Sequence, residues 1–125
     1  MNKLRPINLK LSTIHFPITA ISSILHRISG VIMLFIFGIL LWLLDLSLSS
    51  PKDFHYVMYI FNNFYCKFII WCFFNIFIYH IINGIRHILM DFNFLSETLK
   101  TATFLTYIVF SITLMLSIIA GVLIW

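Results

Sequence analysis

The chain has 125 residues, of which 62% are hydrophobic and only 10% are charged. A soluble globular domain carries about 25% charged residues, so the composition excludes an ordinary water-soluble fold. One helical crossing of a bilayer takes roughly 20 mostly apolar residues, so the chain has room for about three crossings and no separate soluble domain. A net charge of +4 could suggest a nucleic-acid partner, but the basic residues are scattered beside apolar runs and form no patch, which argues against nucleic acid.

The first predicted crossing covers residues 24–44. Its uncharged core begins after Arg27 and ends before Asp45. A group of residues that stop helices follows it, namely Ser47, Ser49, Ser50 and Pro51. Residues 46–52 are therefore expected to form a loop at the exit from the membrane.

The second predicted crossing covers residues 64–90. The 18 residues between Lys67 and Arg86 contain no Asp, Glu, Lys or Arg, so this segment suits the hydrocarbon core. Residues 91–100 are expected to form a short polar turn that leads into the next crossing.

The third predicted crossing covers residues 101–125 and contains no charged residue. Thr113, Ser117 and Gly121 follow one another at intervals of four, which places small side chains on one face for close helix packing. Backbone amides in hydrocarbon must bond within their own segment, so isolated apolar runs of this length form helices. The sequence therefore predicts an all-α integral membrane protein of three transmembrane helices, with residues 1–125 forming a single membrane-anchor domain.

The distribution of basic residues predicts the orientation of the chain. If the N-terminus is cytoplasmic, the inner side holds Lys3, Arg5, Lys10, Arg27, Arg86 and Lys100, whereas the outer side holds Lys52 and Lys67. The positive-inside rule therefore favours a cytoplasmic N-terminus and a C-terminus outside. The aromatic residues that then fall near the outer interface are Trp42, Tyr56, Tyr59 and Trp125.

Functional information is expected among the polar groups that hydrocarbon penalises. The densest set lies in the second crossing and comprises His80, Asn83, Gly84, Arg86 and His87. His80 and His87 are seven residues apart, so they share a helix face at an axial distance of about 10 Å, with His80 the deeper. A neutral imidazole at that depth suits metal or haem ligation, proton relay or an interhelical hydrogen bond. Gly84 removes a side chain from the same face, where a flat macrocycle or a close helix could lie.

A second polar set opens the first crossing and comprises Ser22, Ser23, His26, Arg27, Ser29 and Gly30. The first helix leaves the membrane face to which the second returns, so the two polar sets are expected at one level. In one interpretation Arg27 extends to anionic headgroups and the serines cap the helix start. In the other, His26 and Arg27 are two donors that together suit propionate carboxylates or a quinone carbonyl.

A haem b held between helices normally has two axial histidines, one on each side of the iron. Only His80 is a deep candidate here, because the third crossing has no histidine, His15 and His55 lie outside the crossings, and His26 is expected nearer the surface. If haem is bound, a second ligand must therefore come from another subunit.

Two motifs resemble those of the cytochrome b large membrane-anchor subunits of bacterial succinate dehydrogenase, also called succinate:ubiquinone oxidoreductase. The first is the Arg5-Pro6 start followed by Ser23-Ile24-Leu25-His26-Arg27-Ile28-Ser29-Gly30. The second is His80 with Gly84-Ile85-Arg86-His87, ending in Met90-Asp91. Together the motifs identify the chain as a member of this family from Arg5 to its last residue.

The resemblance implies roles for particular residues. His80 would be one axial ligand of the iron of haem b, and Ser23 and Arg27 would line the ubiquinone site. Arg27 would also lie near a haem propionate, with His26 in the propionate surroundings. His87 and Arg86 belong to the second motif, but the pattern does not settle their individual roles.

The resemblance also implies partners. A small membrane-anchor subunit would supply the second haem ligand, an iron-sulfur subunit would carry the clusters, and a flavoprotein subunit would hold FAD and oxidise succinate. The chain contains no flavin or iron-sulfur motif, so it would not oxidise succinate alone. It would instead tether the complex as a multi-pass protein in the lipid bilayer of the bacterial inner membrane.

One departure from the family pattern is visible at Asn93, where a small residue such as Gly is usual. Asn tolerates a left-handed backbone better than most residues, so the turn after Asp91 is expected to be retained.

Three other functions stay open from the sequence. A quinol:fumarate reductase anchor would keep the family and reverse the reaction. A small transporter or ion-conducting subunit would use His80 and Asn83 in a proton path, although that reading predicts an acidic residue at mid-membrane depth and the sequence has none there. A structural or assembly protein would use every polar group to join helices, and it would show no b-type haem band.

Overall fold

The structure, a computed structural model, describes residues 16–96 and 98–125. These residues form four α-helices and no strand: α1 (Ile18–Ser49), α2 (Pro51–Phe61), α3 (Phe64–Asp91) and α4 (Leu99–Ile124). Helices α1, α3 and α4 are long and apolar enough to cross a membrane, which confirms the predicted all-α class with three transmembrane helices. The orientation of the chain stays a prediction, and three of the basic residues behind it, Lys3, Arg5 and Lys10, lie outside the described residues.

Helix α1 is longer than the crossing predicted for it. Its 32 residues span about 48 Å, against about 30 Å for a hydrocarbon core. Ser47 and Ser49 lie within the helix, where their hydroxyls donate to the carbonyls of Leu44 and Asp45 at 2.7 and 2.9 Å. The predicted loop over residues 46–52 is therefore wrong, because serines that bond back to their own helix do not end it.

The chain breaks at Ser50, and the unpredicted helix α2 begins at the next residue. The backbone of Ser50 is extended, and its side chain accepts a hydrogen bond from the amide of Asp53 at 3.1 Å. Pro51 takes the first helical position, where its missing amide hydrogen costs nothing. Val57 is buried against α1 beside a cleft whose other walls include Leu40 and Phe61, so α2 folds back along the end of α1.

Helix α3 packs against both α1 and α4, and α1 also contacts α4. At one end of the α3–α4 contact, the indole of Trp71 donates to the carbonyl of Ser117 at 3.0 Å. A Cβ added at Gly121 would lie 3.3 Å from Trp71 Nε1. Ser117 and Gly121 therefore lie on a helix-packing face, as their spacing predicts.

The turn between α3 and α4 keeps the shape that the sequence predicts. Asn93 has a positive φ of 56°, in the left-handed region that Asn adopts more readily than most residues. Thr98 then caps α4 by accepting from the amide of Thr101 at 3.3 Å. The third transmembrane helix consequently begins two residues before its predicted start at residue 101.

Candidate functional site

The buried interior of the bundle is mainly polar. Among the described residues, the buried polar side chains are Ser22, Ser29, Asn83, Arg86, Thr106 and Ser117, and the buried apolar or aromatic ones are Val57, Tyr79 and Val109. A bundle in lipid exposes apolar side chains outward, so polar groups gain partners only by turning inward. The candidate site therefore lies between the helices.

His80 lies at a close contact between α1 and α3. Its Nδ1 is 2.8 Å from the hydroxyl oxygen of Ser29. A Cβ added at Gly30 would lie only 3.0 Å from His80 Cε1, which is too close for an unshifted side chain. Gly30 therefore gives α1 the space that the His80 ring occupies, and Ser29 fixes the ring in that space.

His26 lies against His80 and forms a histidine cluster with it and His87. The rings of His26 and His80 stack with centroids 4.3 Å apart and planes 12° apart, and the ring of His87 is 5.3 Å from that of His26. Gly84 lies beside this arrangement, since a Cβ there would be in ordinary contact with His26 Nε2 at 3.4 Å. The structure thus brings the two predicted polar sets together at one level.

The depth expected for His26, nearer the membrane surface than His80, stays a prediction. Ring centroids 4.3 Å apart leave at most that difference in depth. The first helix begins at Ile18, so His26 lies in its third turn. Its Nε2 is buried and has no hydrogen-bond partner within the described part of the chain.

Arg86 points into the bundle. Its side chain is only 7% exposed, one terminal nitrogen donates to the hydroxyl of Thr106 on α4, and the other lies 3.2 Å from His87 Nε2. Its Nε is buried without a hydrogen-bond partner in the described residues. Arg86 therefore links the histidine cluster to α4.

A second polar contact joins α1 to α3 through Ser22 and Asn83, which belong to the two predicted polar sets, and Tyr79, which belongs to neither. The Tyr79 hydroxyl donates to the carbonyl of Ser22 at 2.8 Å, and the Ser22 hydroxyl donates to Asn83 Oδ1 at 3.2 Å. Ser22 and Asn83 are fully buried. The spacing in the sequence indicates this contact. Ser22 and Ser29 are seven residues apart and share one face of α1, and Tyr79 and Asn83 are four apart and share one face of α3.

Ser23 and Arg27 do not join the histidine cluster. Ser23 follows Ser22 and Arg27 follows His26, and one residue along a helix turns a side chain by about 100° around the axis. Ser23 is half-buried and Arg27 is exposed. The two are four residues apart and share one stripe of α1, which is open to another molecule.

The three rings of the cluster do not form the coordination sphere of a bare metal ion. Across residues 16–96 and 98–125, no three His, Cys, Asp or Glu side chains converge as ligands. A planar cofactor that binds imidazole requires a different arrangement, with one ring nitrogen on each of the two faces of the cofactor.

Comparisons with known proteins agree on one family. The family model described as "Succinate dehydrogenase/Fumarate reductase transmembrane subunit" matches residues 1–120. The succinate dehydrogenase cytochrome b556 subunit of Coxiella burnetii (strain RSA 493 / Nine Mile phase I) is 34% identical over 126 residues, which cover 100% of both chains. The succinate dehydrogenase cytochrome b560 subunit of Chondrus crispus is 34% identical over 90% of this chain and 91% of its own. That of Porphyra purpurea is 38% identical over 70% and 71% respectively.

Proposed function

The chain belongs to the succinate dehydrogenase/fumarate reductase transmembrane subunit family, and from this premise we propose that it supplies one axial ligand, His80, to a haem b shared with a small second anchor subunit. We propose further that it forms part of a ubiquinone-reduction site and tethers the catalytic subunits to the bacterial inner membrane. The membership confirms the family resemblance carried by the two motifs.

The environment of His80 carries the haem proposal. Its Nδ1 is engaged by Ser29, and none of the hydrogen bonds of the described residues uses its Nε2. The lone pair of an imidazole nitrogen lies in the ring plane, so Nε2 is the atom through which His80 would hold a haem iron. His26 covers a flat face of the ring, so this contact does not occupy the Nε2 lone pair.

The second axial ligand is assigned to the partner. Stacked rings do not place two nitrogens on opposite sides of an iron, so His26 does not suit that role. His55 lies in α2, which packs against the far end of α1, and α4 contains no histidine. The small anchor subunit is thus the expected source of the opposite imidazole.

His26 and Arg27 suit the carboxylates at the edge of a haem. The buried Nε2 of His26 has no partner among the described residues, and a propionate oxygen would satisfy it as a donor. Arg27 is exposed on the neighbouring stripe of α1 and adds a positive charge there. Bound haem supplies a one-electron store, while these residues hold and orient it.

Ser23 and Arg27 are assigned to ubiquinone. A hydroxyl and a guanidinium can orient the quinone carbonyls and stabilise the negative charge that develops on reduction. Their open stripe on α1 lets another subunit complete the site. Succinate oxidation on FAD and electron transfer through iron-sulfur clusters belong to the flavoprotein and iron-sulfur partners in this proposal.

The test of the proposed function is purification of the chain with its native partners, followed by reduced-minus-oxidised spectroscopy and assays of quinone reduction. A b-type haem band together with succinate:quinone activity is the expected result. A complex with quinone reductase activity but no such band would remove the haem assignment, and a haem-free, inactive assembly would favour a purely structural subunit.

A further inference from the structure

Ser29 occupies an unusual position between the two helices of the site. Its side chain is 5% exposed, and its oxygen lies 2.7 Å from the carbonyl oxygen of His26 and 2.8 Å from His80 Nδ1. The same hydroxyl therefore contacts the backbone of α1 and the ring of α3.

The number of hydrogens available sets the direction of these two bonds. A serine hydroxyl carries one hydrogen, and a carbonyl oxygen can only accept, so the Ser29 hydrogen points to His26. The bond to His80 then requires a hydrogen on Nδ1, which the lone pairs of Ser29 accept. In a neutral imidazole, a hydrogen on Nδ1 leaves Nε2 with the free lone pair.

We propose that Ser29 is a positioning residue for His80, which accepts its Nδ1 hydrogen and thereby holds the ring as the tautomer whose Nε2 is free to bind iron. This inference rests on the proposed haem site. Gly30 lies beside the adjacent ring carbon, where no Cβ intervenes between α1 and His80 Cε1. Both the tautomer and the orientation of the ligand are thus set by two adjacent residues of α1.

Donation of the Nδ1 hydrogen to Ser29 makes the imidazole a more basic ligand. A more basic ligand stabilises the ferric state of a haem relative to the ferrous state, which lowers the midpoint potential. Loss of such outer-sphere partners commonly weakens binding by about 10- to 100-fold. Ser29→Ala should therefore raise the haem midpoint potential and reduce haem retention by about that factor.

The chain offers two matched controls. Ser29→Thr keeps the hydroxyl, whose bond to a carbonyl three or four residues earlier is common for Thr in helices. A cavity of about 330 Å³ that Ser29 lines has room for the added methyl group. Ser22→Ala removes another buried α1 hydroxyl bonded to α3, but through Tyr79 and Asn83 rather than the histidine.

The experiment is a redox titration of haem in the purified complex carrying Ser29→Ala, Ser29→Thr or Ser22→Ala, together with haem content after prolonged detergent dialysis. We expect the potential to rise in Ser29→Ala and to stay near that of the unaltered complex in the other two. If Ser29→Ala does not assemble, Ser29→Cys keeps the volume with a weaker acceptor and should shift the potential in the same direction by less.

Three results would overturn the inference. An unchanged potential in Ser29→Ala, or equal shifts in Ser29→Ala and Ser22→Ala, would show that the contact has no specific effect on the ligand. A lower potential would show that the hydroxyl donates to Nδ1 instead. Failure of the haem proposal itself is distinct, because the unaltered complex would then show no b-type band to titrate.

Discussion

The imidazole of His26 stacks on that of His80, with ring centroids 4.3 Å apart and planes 12° apart. One ring comes from α1 and the other from α3, so the contact joins the two family motifs directly. Gly30 permits the close approach, because a Cβ there would lie 3.0 Å from His80 Cε1, whereas a Cβ at Gly84 would lie 3.4 Å from His26 Nε2, at ordinary contact distance. Substitutions at and around this pair have separable consequences.

The first prediction concerns the ligand itself. His80→Ala should abolish or grossly alter the b-type haem spectrum of the purified complex, because the proposed axial nitrogen is lost. His55→Ala is the matched control, since His55 is exposed on α2. A normal spectrum in His80→Ala would refute the ligand assignment.

The second prediction concerns the space at Gly30. Gly30→Ala should displace the His80 ring and disturb the haem band, because the new Cβ would lie 3.0 Å from His80 Cε1. Gly38→Ala, on the same helix with nothing within 4 Å of its added Cβ, should leave the spectrum unchanged. In a helix interior Ala is favoured over Gly by about 1 kcal/mol, so Gly38→Ala should be at least as stable as the original. Equal spectra for the two variants would show that the close approach at Gly30 is irrelevant to haem.

The third prediction separates quinone chemistry from assembly. Arg27→Leu should slow quinone reduction by on the order of 10²-fold, because it removes a donor proposed to stabilise the developing negative charge. Succinate oxidation with a soluble electron acceptor should persist, since that step is assigned to a partner. Lys52→Gln provides a control, as Lys52 is an exposed cation on α2. Parallel loss of both activities in Arg27→Leu would point to failed assembly.

The fourth prediction tests the Tyr79 contact as a purely structural bond. Tyr79→Phe removes the 2.8 Å donation to the Ser22 carbonyl, which should cost about 1 kcal/mol of stability. The expected result is a lower melting temperature of the complex with its haem spectrum retained. Tyr59→Phe should change neither property, because that side chain is 74% exposed. A lost haem band in Tyr79→Phe would mean that this residue also shapes the cofactor site.

Hydropathy and charge are sufficient to predict the three crossings, because the length and apolar character of each run can be read from the sequence alone. The spacing of His80 and His87, with the His26 motif, likewise predicts which polar sets meet. Helix α2 is not among the predicted elements, because Ser50 and Pro51 indicate the end of a helix, although a Ser cap followed by Pro also starts one. The role of Ser29 could not be predicted, because it depends on how α1 is rotated against α3, which packing between distant residues determines.

The connection between α2 and α3 has a consequence for the whole site. Only Asn62 and Asn63 separate the two helices, and the side chain of Asn63 accepts from the amide of Tyr65 at 2.9 Å. This short connection fixes the residue at which α3 starts. The start in turn determines the direction in which each side chain of α3 points around the helix axis. One residue inserted in α3 between Asn63 and His80 would swing the histidine by about 100°, away from Ser29. Length changes in this stretch are therefore far less tolerable than substitutions of its lipid-facing side chains.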